Sequence, residues 1–536
     1  MEKQREHTEQ TKKRSIGNDG IVFGCICMLI VAFLLRRIIS GYFDNDFFHI
    51  ATSGRWMAQH GIMRQNPFFV EDGYRTIIQQ WLYALLLWFA YRGGGYYGVF
   101  LFTLIQVVLL CGIGYAYLRI RSIKPRLAGI GALLFGVSVL QLNCRPEIIS
   151  LLLFTAQMCV MEYDRKKLKK AVLYILPVLI LAEVNLHAAY AVFHFILLLP
   201  YLVPVHRLPI CRELTEWCGI REEKSKANQF LLPILLMAAA LFCNPYGIDA
   251  VLILLRSGNI RLLSIAELQP ATILRGAIVL PVLGLLFMAI GIRFRKTRES
   301  TQLLYFGFLL PALVAEKNLL FFSIVLLAQW GDLFEDFSDT TFWSFLGKIG
   351  KGYLKVLTGL TAVLSAGLLL YGGLIRVSVT ENGVPEFSNG LLPHMTDTEM
   401  YPVNAIAYIL ENEEHPEELR IMNTFNSGSA FLWNGIGHVY LEPKTEPYLK
   451  SVNGQYDIIS EYVYIGLTAP AEQIEAFLNK YHFDYVFCSP YMQGLRAYLD
   501  RSDAYECVVV SECTIHDYKK ETGNTEAAYY LYRCRY

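Results

Sequence analysis

Charge is what this sequence has least of. Only 18% of its 536 residues are Asp, Glu, Lys or Arg, against 54% hydrophobic; a soluble protein normally carries about a quarter charged residues. The shortfall argues against an ordinary soluble chain and fits many membrane-embedded helices. The net charge is +1, so no basic field of the kind that draws nucleic acid exists, and no nucleic-acid partner is expected. No CxxC spacing occurs among the 12 cysteines, which removes the usual signature of a zinc site. Eight of them precede residue 244, mostly inside apolar runs where they serve as small hydrophobes. Cys488, Cys507, Cys513 and Cys534 lie in the polar C-terminal part, where the sequence neither requires nor forbids a disulfide. There is no Gly-rich phosphate loop opening a helix, no low-complexity tract, and no internal repeat of the kind that many transporters carry.

What is present is a long series of apolar runs, with a mean hydropathy of +0.35. A spanning helix needs roughly 17–25 mostly apolar residues. Runs of this kind occupy 21–39, 97–118, 127–143, 147–162, 171–186, 188–205, 229–244, 275–292, 302–316, 318–333 and 354–376, which makes eleven expected spans. The first follows a basic N-terminus, residues 1–20, and is too long to be a cleaved signal peptide, so it reads as a retained span. A twelfth stretch, "IIQQWLYALLLWFAYRGGG" (77–95), is ambiguous. Lys and Arg accumulate on the cytoplasmic side, and the basic segments are 1–20, 119–126, 164–170, 206–226, 293–298 and 348–355. All six fall on one side if 77–92 lies at the interface or re-enters, and that arrangement is taken here.

The loops without basic excess then emerge together on the outer side. They hold Asp44, Asp46 and His49 in the first external loop, 40–96; Arg145 and Glu147 in "NCRPE"; Asn185 and His187 in "NLHA"; Asn244 in "NPYG"; and Lys317 in "AEKN". The cytoplasmic loops offer no comparable cluster. Polar groups gathered at one set of helix ends are the pattern of a site at the outer membrane surface.

After residue 376 the apolar runs shorten to strand length: 420–425, 438–443, 484–490, 505–512 and 527–534. Between them, "APAEQIEAFLNKYH" (469–482) has helical spacing of Ile474, Phe477, Leu478 and Tyr481. Strands alternating with helices point to a small α/β domain over 377–536, and eleven spans from a cytoplasmic N-terminus put it outside.

An ionisable group at membrane depth costs roughly 2.5–3.5 kcal/mol on insertion scales and is a functional candidate by default. Asp44 and Asp46 stand just past the first span, where they either cap the following amphipathic helix or do chemistry. A carboxylate there can take the proton of an attacking hydroxyl; a pair can hold a divalent cation that steadies a departing phosphate. His49 is one helical turn from Asp46. Arg145 and Lys317, with Arg55 and Arg64, are the cations available to an anionic lipid phosphate. His187 is either a packing residue or a ligand contact, Arg145 and Glu147 can pair with each other, and Asn185 and Asn244 either cap helices or line a cavity.

With these residues in place, the chain resembles the GT-C superfamily of integral-membrane glycosyltransferases. The likeness is to an uncharacterised bacterial branch related to protein mannosyltransferase-like and lipopolysaccharide sugar transferases. It rests on the acidic pair and amphipathic stretch of "DNDFFHIATSGRWMAQHGIMRQNPFFVEDGYRTIIQQWLYALLLWFAY", on "CRPEIISLLLF", "AEVNLHAAY", "NPYG" and "EKNLLFFSIVLL", and on "FNSGSAFLWNGIGHVYLEP" (425–443). It implies a multi-span membrane domain over 21–376 in the cell membrane, a polyprenyl-phosphate-linked sugar donor, and a cell-envelope acceptor. Transfer would invert the anomeric centre, with an acidic residue of the first external loop as base. Asp44 and Asp46 match that acidic pair, although many relatives have Asp-Glu adjacent where Asn45 intervenes here. The alternative is a non-catalytic protein of the same fold, a scaffold or transporter of lipid-linked glycans.

Overall fold

The computed structural model describes residues 17–39, 45–138, 144–167, 169–203, 213, 216–221, 227–256, 269–270, 278–335, 337, 349–371, 374–379, 385–389, 392, 400–444, 446–515 and 525–535. Its N-terminal two thirds are helical: α1 (Asn18–Ile39), α2 (Asn45–His60), α3 (Trp81–Ile120), α4 (Pro125–Ser138), α5 (Glu147–Lys167), α6 (Leu176–Leu186), α7 (Phe193–Leu202), α8 (Leu231–Ala240), α9 (Asp249–Arg256), α10 (Val279–Arg293), α11 (Glu299–Val314), α12 (Phe322–Phe334) and α13 (Lys351–Leu370). Three stretches are long and apolar enough to cross a membrane: Asn18–Ile39, Trp81–Ile120 and Gly352–Leu370. Their outer faces expose Leu101, Val108, Val356, Val363 and Leu364, surfaces suited to lipid, and this is a membrane protein. The interior is aromatic, with Phe154, Tyr190, Phe193, Phe308 and Phe321 packed together where α5, α7, α11 and α12 meet.

Helix α3 is not a single rod. Gly94 and Gly95 break it, and Gly95 sits at φ 57°, ψ −143°, a conformation open to glycine and hardly to other residues. The arm 81–93 folds back along the start of the arm 96–120. The Tyr83 and Phe102 rings lie 5.5 Å apart and those of Tyr91 and Tyr96 5.3 Å apart, whereas a straight helix would separate the first pair by about 28 Å. A Cβ on Gly98 would stand 2.0 Å from the Ala90 carbonyl oxygen, so the arms touch backbone to backbone. The first arm is about 20 Å long, short of the roughly 30 Å hydrocarbon core. Gln79 and Trp81 at its foot bond to neighbouring elements: Ala188 N–H donates to Gln79 O at 3.0 Å, and Trp81 Nε1 to Asn185 Oδ1 at 3.1 Å.

Beyond α13, β1 (Ile375–Val379) and β2 (Pro385–Asn389) form a hairpin. Then come α14 (Val403–Asn412), β3 (Arg420–Met422), α15 (Gly428–Trp433), β4 (His438–Val439), α16 (Lys450–Asn453), α17 (Ile458–Leu467), α18 (Ala471–Tyr481), β5 (Tyr485–Cys488), α19 (Gln493–Leu499), β6 (Tyr505–Ile515) and β7 (Thr525–Cys534). The sheet order is β4-β3-β5-β7-β6, with β3 parallel to β4 and β5, and β7 antiparallel to β5 and β6. Side chains alternate across it. Ile421, Tyr485, Phe487 and Leu531 face α14 and α15, while Met422, Val486, Cys488 and Tyr532 face α17, α18 and α19. The loop between α2 and α3 joins the β4 edge: Val439 N–H donates to Phe68 O at 2.8 Å, and Phe69 and Tyr74 enter the core beside Tyr440, Tyr448 and Tyr481.

One expectation needs correcting. The ends of the helices that face the basic loops do hold a polar cluster. Arg121 and Asp332, both buried, meet at 2.5 Å; Arg298 reaches Glu162 at 3.0 Å and Glu335 at 2.5 Å; Arg165 joins Glu162, and Arg221 joins Glu335. Except for Arg165 and Glu162, which share α5, these pairs join acids and cations from different elements, which counting loop charges does not reveal. Arg121→Met would leave Asp332 without its closest partner. A loss of about 3–5 kcal/mol is expected, read as a lowered Tm of the detergent-solubilised protein relative to wild type.

Candidate functional site

The opposite ends of the same helices carry the expected site residues. Asp46 lies in the first turn of α2. The start of that helix is clasped by the 425–443 segment: Ser429 Oγ donates to Asn45 O at 2.9 Å, and Asn45 Nδ2 to Asn426 Oδ1 at 3.1 Å. Arg145, just ahead of α5, pairs with Asp46 at 3.2 Å, and the Asp46 side chain stays 39% exposed. The pair is therefore formed without closing off the carboxylate. Asp44 and Asn143 fall outside the described residues.

His49, one turn further along, is turned away from solvent. Its Nδ1 lies 3.0 Å from Glu442 Oε2, with both side chains buried. Asn66 Nδ2 donates to Glu442 Oε1 and to Tyr448 OH, each at 3.2 Å. Burial, reinforced by Glu442, holds the Tyr448 phenol well above its ordinary pKa, so it stays neutral. Arg55 donates to Leu432 O at 2.7 Å and Trp433 O at 3.1 Å, satisfying carbonyls at the end of α15. Phe47 and Phe48 pack on the Trp433 ring. These contacts fix α2 between the arm 81–93 and the C-terminal layers; a Cβ on Gly54 would stand 2.1 Å from Ala84 O.

Glu147, His187 and Lys317 form a second group. Glu147 and Lys317 both act electrostatically on His187. Glu147 Oε2 is buried with no hydrogen-bond partner, and no hydrogen bond or ion pair of the half-buried Lys317 ammonium occurs among the described residues. Asn185 and Asn244 are otherwise engaged. Asn185 Nδ2 donates to Leu181 O and Cys243 O, while Asn244 closes the NPYG turn through Gly247 O and Tyr246 N. Arg64 donates to Pro245 O at 3.2 Å.

No family model matches the chain, and no curated protein does. Among solved structures it is similar to the Archaeoglobus fulgidus oligosaccharyltransferase, tethered with an acceptor peptide containing the NVT sequon via a disulfide bond. The TM-score is 0.54 at 12% identity, over 94% of this chain and 74% of that one. The likeness is one of fold.

On that fold, the residues expected from the sequence fall into two groups, Asp46 with Arg145 and Glu147 with His187 and Lys317, and a set with structural bonds, His49, Asn185 and Asn244. Among the described residues no three His, Cys, Asp or Glu side chains come together as a metal cluster. Asp46 faces a guanidinium, and Asp44, the other carboxylate of the expected pair, lies outside the described residues. Glu442 and Ser150, which bonds to His187 at 2.8 Å, were not singled out in the sequence. Glu442 could have been suspected as an acid inside the 425–443 segment; Ser150 gave no signal within an apolar run.

Glu442→Ala removes the acceptor for both His49 and Asn66. Leaving such buried groups unpaired costs about 1–3 kcal/mol each. The expected result is faster hydrogen exchange across 45–60 and 438–449, with exchange in α10 to α12 unchanged.

Proposed function

We propose that the protein is a GT-C-type membrane glycosyltransferase that moves a sugar from a polyprenyl-phosphate-linked donor to an external glycan, lipid or protein acceptor. The observation that carries this reading is the Asp46–Arg145 pair, an accessible carboxylate held against a cation at the start of a helix of this fold. The similar fold belongs to an oligosaccharyltransferase tethered with an acceptor peptide.

In the proposed step, a carboxylate of Asp44 or Asp46 takes the proton of the acceptor's nucleophile as that atom bonds to the anomeric carbon. The bond from that carbon to the phosphate oxygen breaks on the opposite face, and the configuration inverts. The polyprenyl phosphate leaves with both bonding electrons, its charge met by Arg145 and Lys317. The topology that goes with this reading has eleven spans, a cytoplasmic N-terminus, and residues 377–536 outside as an α/β domain. It is supported by the separation of the Arg121–Asp332 network from the Asp46–Arg145 pair at opposite helix ends.

Loss of a general base typically lowers turnover about 10²–10⁴-fold. Asp44→Asn or Asp46→Asn is expected to do so in an assay of polyprenyl-phosphate-sugar consumption, at normal protein levels. Unchanged donor turnover and surface glycans in both variants would overturn the enzymatic reading and leave a scaffold or transporter. Topology is tested by cysteine labelling of intact cells, in a background without native cysteines. Ser122→Cys should be protected from an impermeant reagent and Glu472→Cys should react.

A further inference from the structure

His187 lies just past the end of α6, and a chain of polar groups runs from it into the helices. Its Nδ1 is 2.8 Å from Ser150 Oγ. The Ser150 hydroxyl has a single proton, and it is donated to Glu183 Oε1 at 2.6 Å. The other oxygen, Glu183 Oε2, faces His194 Nε2 at 3.6 Å. On the far side of that ring, His194 Nδ1 is 2.5 Å from Gln157 Oε1, and Gln157 Nε2 donates to His194 O at 2.8 Å. Ser150, Gln157, Glu183 and His194 are completely enclosed.

Counting protons along this chain fixes each role. An amide oxygen only accepts, so His194 Nδ1 carries a hydrogen. Neither Glu183 Oε2 nor His194 Nε2 has a hydrogen-bond partner, and one proton between them leaves the pair with no net charge. Whether it sits on the carboxyl or on the imidazole, Glu183 Oε1 remains an acceptor. Ser150 therefore donates to Glu183 in both cases, and its oxygen has to accept from His187 Nδ1–H. A neutral His187 is then left with a bare lone pair on Nε2.

We infer that this relay fixes His187 as the Nδ1–H tautomer, so that Nε2 accepts a hydrogen bond from a hydroxyl of the donor sugar. His187 is thus a positioning residue that selects a hydroxylated ring, not a cation for the phosphate. The inference rests on the glycosyltransferase reading. Its surroundings agree with it: Glu147 Oε2 is a second acceptor without a partner, and Lys317 supplies a cation beside the two. Two acceptors and an ammonium match a polyhydroxylated ring joined to a phosphate. Burial lowers the His187 pKa, helped by Lys317 and opposed by Glu147 and Glu183; the Tyr190 ring, 4.8 Å away, is the aromatic neighbour.

The test uses the full chain in lipid nanodiscs and the polyprenyl-phosphate-linked hexose that wild type consumes. A glutamine oxygen can stand where Nε2 was, and an asparagine oxygen cannot reach it. His187→Gln should keep KM for the donor within about 3-fold. His187→Asn should raise it roughly 10-fold with kcat little changed, the scale of one hydrogen bond. Ser150→Ala should raise KM as His187→Asn does, and Ser150→Thr should restore it. A second readout is independent of turnover: in 15N-histidine spectra, the resonance lost in His187→Gln should be that of an Nδ1–H tautomer. A protonated ring, an Nε2–H tautomer, or equal KM values for the Gln and Asn variants would overturn the inference and leave the glycosyltransferase reading intact. If wild type consumes no donor while that resonance is an Nδ1–H tautomer, the tautomer assignment stands, and both the glycosyltransferase reading and the assigned sugar contact fall.

Discussion

A charge taken out of water must be paired or lose its charge, and this constraint organises the described helices. Arg121 and Asp332 meet with almost no exposure at one end of the bundle, while Asp46 and Arg145 meet with the carboxylate still open at the other. The difference in exposure separates their roles. A closed pair holds helices together; an open one retains lone pairs that a ligand or a proton can reach. Between the two ends, Glu183 and His194, both fully buried, face each other at 3.6 Å.

The α2 helix is where this electrostatic order meets the packing. It is gripped on one side by the arm 81–93, on another by α15, and at His49 by Glu442. The contacts just named fall on other residues of the helix, while Asp46 faces Arg145 at 3.2 Å. A reacting group works best when its own support is rigid and lies outside the reaction. The C-terminal layers are part of that support: Glu442 is 393 residues from His49 in sequence, and the loop carrying Phe69 is paired to β4. Detaching these layers would loosen the helix that presents the acidic residues.

Much of this was legible in the sequence where the signal is local. Apolar runs mark the helices, and the strand-length runs at 420–425, 484–490, 505–512 and 527–534 each carry a strand. The ambiguity of 77–95 was visible too, because Gln79, Gln80 and the Gly93–Gly95 run break an otherwise apolar pattern. Illegible were the pairings that join distant residues. Arg121 reads as one more basic loop residue until Asp332, over two hundred residues later, is found against it. Ser150 reads as a small residue in a span, because a hydroxyl's partners are set by helix packing and not by its neighbours in the chain.

The two polar groups at the site end divide the chemistry in a way that follows from their surroundings. Asp46 is partly exposed and lies against Arg145, so in the proposed step it would exchange a proton with an acceptor arriving from water while a cation stands close to the charge released. His187 is buried and Glu147 half-buried, with the Glu147 Oε2 atom enclosed and without a hydrogen-bond partner. Enclosed acceptors discriminate strongly, because a ligand lacking the matching hydroxyl leaves them unpaired in a low-dielectric pocket. An open carboxylate discriminates little. On the proposed reading, recognition of the donor ring falls to His187 with Glu147 and proton transfer to the more open carboxylate, an arrangement that would let one fold keep its chemistry while its less accessible residues set which sugar is used.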